Sequence, residues 1–108
     1  MFDSLDNLAV DLHKTAVEKG FWPEDVDDIF IAKQCMMIVS EVTEVMEAVR
    51  KDKGEQEISK EFADIIIRTL DLYVGMVEAG YTNLSLDDIL KEKAEFNITR
   101  PEKHGVRF

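Results

Sequence analysis

Two pairs of acids give this chain its clearest capacity for chemistry. Glu41 and Glu44 stand three residues apart, and Glu61 and Asp64 repeat the spacing further along. Residues at i and i+3 of a helix project from one face. Two antiparallel helices carrying such pairs can aim four carboxylates into one space. Crowded carboxylates repel one another, and a divalent cation removes the repulsion. Oxygen-only ligands suit Mg²⁺, with Mn²⁺ as a substitute, rather than zinc.

Spacing alone does not single these acids out. With 23 acids among 108 residues, about five such pairs arise by chance, and solvated charge is their default meaning. Asp25/Asp28, Asp52/Glu55 and Glu92/Glu95 share the spacing. Placement on the helical wheel separates them. Glu41 falls between Met37 and Ala48 on one side and Val45 and Ile38 on the other, on the arc that must face a core. Glu44 borders that arc, and Glu61 is flanked by Ile65 and Leu72. Acids so placed are costly unless paired or metal-bound. The alternative to a metal is an ion-pair network, for which Arg68 lies on the same strip as Glu61 and Asp64.

The elements that must hold these acids are helices. Leu5, Leu8, Ala9, Leu12, Ala16 and Val17 recur at helical spacing and predict a first helix over about Phe2 to Lys19, stopped by Gly20. Phe21-Trp22-Pro23 breaks the pattern. A second helix is expected from Asp27 or Asp28 to Lys51, and a third from Gln56 to Ala79. A fourth, capped by Ser85 with Asp87 and Asp88 in its first turn, is expected to reach Asn97, with an irregular tail beyond. The fold class is all-α, a four-helix bundle-like single domain over residues 1–108. The third helix is apolar almost all round, which demands more cover than three short neighbours give. A homodimer or homotetramer is therefore expected.

Composition narrows the partners. The net charge of −10 argues against a nucleic-acid polymer and against an anionic membrane surface. It leaves room for a small anion whose contact is mediated by metal. The one cysteine, Cys35, rules out an internal disulfide and suits a reducing compartment. Acids occupy the N-terminal stretch where a secretory signal would carry lysines, so a cytoplasmic protein is expected.

The stretches Ser40-Glu41-Val42-Thr43-Glu44-Val45-Met46-Glu47-Ala48 and Lys60-Glu61-Phe62-Ala63-Asp64-Ile65-Ile66-Ile67-Arg68 resemble the two halves of an ExxE…ExxD signature. That signature belongs to the MazG-like, all-alpha nucleoside triphosphate pyrophosphohydrolases. "EKGFWPE" before the second helix and the tail "KAEFNITRPEKHGVRF" are also similar to small members, so the likeness spans nearly the whole chain. It implies Mg²⁺-dependent hydrolysis of nucleoside triphosphates, deoxynucleotides or non-canonical nucleotides among them, to a monophosphate and pyrophosphate. It implies Glu41, Glu44, Glu61 and Asp64 as metal ligands, one glutamate also taking a proton from the attacking water. Lys93 and Asn97 match a lysine-x-x-x-asparagine element of related enzymes and would reach phosphate oxygens; the alternative is an exposed lysine and a helix-ending asparagine.

Further candidates stand beside these. Arg100, Lys103, His104 and Arg107 gather positive charge in an otherwise acidic chain and are candidates to close over the polyphosphate or, alternatively, to pack on the acidic body. Phe21 and Trp22 offer rings to a base or, alternatively, anchor the entry to the second helix. His13 lies beside Leu12 and Ala16 and reads as a partly buried helix histidine. The competing reading for the whole chain is a non-catalytic helical oligomerisation or regulatory module.

Overall fold

A computed structural model describes residues 4–100 and shows four helices and, among the described residues, no strand. They are α1 (Leu5–Glu18), α2 (Asp28–Arg50), α3 (Glu55–Glu78) and α4 (Leu86–Thr99). The boundaries fall within a few residues of those read from the sequence. α4 runs two residues beyond Asn97, so Ile98 and Thr99 are helical rather than part of an irregular tail.

Local chemistry explains where each helix starts and stops. Ser4, Asp27 and Ser85 sit in extended backbone and accept from the amides of Asn7, Phe30 and Asp88. Three of the helices end in one motif. The amides of Gly20 and Phe21 donate to the carbonyls of Val17 and Ala16, and Gly80 and Tyr81 repeat this onto Val77 and Met76. The motif needs a left-handed residue, which glycine adopts without steric cost. After α2 the same position is taken by Asp52, at φ 51°.

α3 is the central element. It packs against α1 on one side and α2 on the other, while α4 approaches only α1. A turn of four residues, Lys51 to Gly54, joins α2 to α3 and makes them antiparallel neighbours. The buried core is thin: Ala9, Ile31, Ala48, Leu70 and Leu72, with His13 and Gly75 among them. Wide apolar faces stay exposed, including Met36, Val42 and Met46 on α2 and Phe62 and Ile66 on α3. No helix among the described residues is long and apolar enough to cross a membrane.

The start of α4 is fastened to the start of α1. Asp87 accepts from the amides of Leu5 and Asp6 at 3.0 and 3.1 Å. Asp6 accepts from the Leu86 amide at 2.9 Å and the Ser85 hydroxyl at 2.6 Å. Each aspartate thus caps the other helix, where free amides and the helix dipole favour a carboxylate. The Ser85 hydroxyl leads the effects that hold the Asp6 carboxyl below its ordinary value.

Candidate metal centre

The antiparallel pairing of α2 and α3 sets Glu41 opposite the strip that carries Glu61, Asp64 and Arg68. One carboxylate oxygen from each of Glu41, Glu61 and Asp64 lies within 4.8 Å of the others. Oxygens on opposite sides of a bound Mg²⁺ stand about 4.2 Å apart. Small side-chain rotations would therefore bring three all-oxygen donors into range, and the donor set fits a hard divalent cation. Glu41 and Glu61 are half-buried while Asp64 is exposed, so the centre opens to solvent on one side.

The charges feel one another. The Glu61 carboxyl is raised above its ordinary value, first by loss of solvation, then by the charges of Asp64, Glu44, Glu41 and Glu57. Glu44 thus acts on the cluster through its field. It is exposed and stands outside the group of three.

The ion pair weighed against a metal is also present. Arg68 Nε donates to Glu41 Oε1 at 2.9 Å, with the Glu41 side chain 16% exposed and that of Arg68 39% exposed. Metal cluster and ion pair share a glutamate.

A groove of about 620 Å³ between α1, α2 and α3 adjoins the cluster. Glu41, Asp64, Arg68, Lys19 and Lys33 line it together with the rings of Phe21 and Trp22. In a chain of net charge −10 this groove is balanced: the cations Lys19, Lys33 and Arg68 face the anions Glu41, Asp64 and Asp71.

The remaining sequence candidates lie elsewhere. Lys93 and Asn97 are exposed on α4 and do not border the groove. Lys93 Nζ sits 5.3 Å from the centre of the Phe96 ring, and the Arg100 guanidinium 5.5 Å from it. His104, Lys103 and Arg107 lie outside the described residues. Trp22 is held as an anchor: its Nε1 donates to Asp71 Oδ1 at 2.9 Å and its ring packs near Phe30. The six-membered part of the indole covers Gly75 so closely that an added Cβ would fall 1.9 Å from it.

One cluster escaped the sequence reading. His13 is buried, with Nδ1 2.8 Å from Asp71 Oδ1 and Nε2 3.0 Å from Glu78 Oε2. A carboxylate accepts and does not donate, so both contacts are hydrogen bonds only when the ring carries both protons. The Trp22 indole meets the imidazole edge-on, 4.7 Å between centres. The available signal was the seven-residue spacing of Asp71 and Glu78, which puts two acids on the α3 face that α1 covers.

No family model, no curated protein and no solved structure matches this chain.

Proposed function

We propose that this chain is a Mg²⁺-dependent hydrolase that splits nucleoside triphosphates into a monophosphate and pyrophosphate, acting as a homodimer or homotetramer. The observation that carries the reading is the convergence of Glu41, Glu61 and Asp64. The MazG-like signature in which these residues stand supplies the reaction. Glu41, Glu61 and Asp64 would hold the cation, with Glu44 strengthening the field around it. A bound divalent cation neutralises phosphate oxygens and lowers the pKa of water. Lys19, Lys33 and Arg68 offer the polyphosphate positive charge along the groove, and the exposed Phe21 offers the base an aromatic ring. A cluster carboxylate takes the proton of the attacking water. Lys93, Asn97 and Arg100 are assigned to substrate through a neighbouring subunit, because α4 of the same chain approaches only α1; His104 is assigned to substrate from the positive charge of its segment.

The test is a panel of ribo- and deoxynucleoside triphosphates with Mg²⁺, scored for phosphate and for pyrophosphate. Pyrophosphate release is expected, and reaction in ¹⁸O-water should label the monophosphate. Release of free phosphate with a diphosphate, or no turnover of any triphosphate, overturns the assignment. The second reading, a non-catalytic oligomerisation or regulatory module, is favoured by the Glu41–Arg68 pair and by the broad exposed apolar faces.

A further inference from the structure

Three cations line the groove, but only one is tied to the acidic cluster. Among the described residues, neither Lys19 nor Lys33 has an ion-pair partner, whereas Arg68 is bonded to Glu41. Arg68 follows Asp64 by one helical turn and Glu61 by two, so it shares their strip of α3. Its side chain is 39% exposed, leaving it room to turn along the groove. Through its Nε it makes a single hydrogen bond to Glu41, not the two-pronged contact that holds arginine–carboxylate pairs most firmly.

Glu41 is thus claimed twice, by Arg68 and by any cation that Glu61 and Asp64 help to hold. A metal oxygen bond of about 2.1 Å and a guanidinium contact on the same carboxylate leave two positive charges only about 5 Å apart. They repel, and the guanidinium is the one with another place to go.

We infer that Arg68 couples the two ligands of the site: it neutralises Glu41 while the cluster is free of metal, and a divalent cation that takes Glu41 releases it to bind a phosphate group in the groove. This coupling presupposes the metal centre proposed above. Its logic is electrostatic. Without metal the groove is charge-balanced and its best phosphate ligand is occupied. With metal, a planar guanidinium suited to phosphate is set free beside Lys19 and Lys33. Linkage makes the effect reciprocal, so phosphate also favours the cation.

Two titrations at pH 8 test this without relying on turnover. In the first, Mn²⁺ alone is titrated by calorimetry into wild type and Arg68→Met. Loss of the competing guanidinium should tighten Mn²⁺ binding at least about 5-fold, the lower end of typical site coupling. In the second, inorganic pyrophosphate is titrated in EDTA into wild type, Glu41→Gln and Asp64→Asn. Glu41→Gln frees Arg68 and should bind pyrophosphate at least about 5-fold tighter than wild type. Asp64→Asn removes the same charge but not the partner of Arg68, and should show no comparable gain. Weaker Mn²⁺ binding by Arg68→Met would mean that Arg68 positions Glu41 for the metal, and would overturn the coupling. Equal gains in Glu41→Gln and Asp64→Asn, or no gain in either, would overturn it as well. Wild type that binds Mn²⁺ while the variants behave alike sinks the coupling alone. Wild type that binds no Mn²⁺ at millimolar concentration sinks the metal centre and the coupling with it. Should Arg68→Met lose its helical circular dichroism, the pyrophosphate titrations decide alone.

Discussion

Asp64 is the residue that separates a metal centre from a set of paired charges. Glu41 has an arginine partner, so removing it disturbs two interactions at once. Among the described residues Asp64 has no ion pair to lose and lies within the carboxylate cluster. Asp64→Asn should leave the metal-free protein within about 0.5 kcal/mol of wild type, or slightly more stable. Mg²⁺ should raise the melting temperature of wild type clearly and that of the variant much less. A wild type indifferent to Mg²⁺ would remove the basis for the enzyme reading. Glu61 adds a pH dependence. Its carboxyl is raised in the folded state, chiefly by desolvation, so the folded protein holds that proton more tightly than the unfolded chain. Glu61 therefore favours folding at low pH and loses that advantage as pH rises through the raised value. Melts in EDTA should show this decline, while the Mg²⁺ increment grows over the same interval as the carboxylate becomes free to bind. Gly75 gives a separate test. A methyl there gains about 1 kcal/mol of helix propensity but runs into the Trp22 ring, and overpacking costs about 1–3 kcal/mol. Gly75→Ala should destabilise on balance and shift the emission of the single tryptophan. Unchanged emission with a higher melting point would show that the ring yields freely.

At the scale of elements, the helices were legible because their signals are local. Ser85 with Asp87 and Asp88 behind it, Gly20, and Gly80 each mark an end by backbone chemistry that needs no neighbour. The core-facing placement of Glu41 and Glu61 was legible too, since the wheel depends only on helical pitch. Asp52 falls between the expected second and third helices, but nothing in the sequence marks it as the left-handed residue that closes α2, a place more often held by glycine. Asp52→Gly should raise stability by up to about 1 kcal/mol by relieving the left-handed aspartate, measurable as a higher urea midpoint with unchanged slope. What stayed hidden depends on the register between helices. That His13 bridges Asp71 and Glu78 depends on the height of α1 along α3, and that Asp6 and Asp87 exchange caps depends on how α4 meets α1. Lys93 and Asn97 illustrate the limit from the other side. Their spacing marks one face of α4, but nothing in it says that α4 would stand away from the carboxylates.

At the scale of the molecule, the chain exposes more surface than a compact protein of its mass. Its accessible surface is 8456 Å² at 12.4 kDa, where a compact monomer would show about 6,100 Å². The radius of gyration is 16.2 Å, against about 13 Å for a compact domain of 100 residues. The excess area is comparable with the loss of surface in obligate assemblies. Light scattering at micromolar concentration should therefore report a dimer or tetramer, and a stable, well-folded monomer would contradict it. Such a monomer would also leave the assignment of Lys93 and Asn97 to substrate without a route.

The exchanged caps of Asp6 and Asp87 make α4 a lever with its fulcrum at one end. Fourteen residues at 1.5 Å each give an arm of about 21 Å, so a tilt of 20° at the clasp carries its tip through about 7 Å. Loss of one cap, as in Asp87→Ala, costs about 1 kcal/mol, a small change in stability. Its mechanical effect is magnified along the arm and is greatest where Asn97 and Arg100 sit. Acid acts on the same fulcrum late: Asp6 is held below the ordinary carboxylate range, so its contribution persists at higher pH and fails only as pH falls through that lowered value.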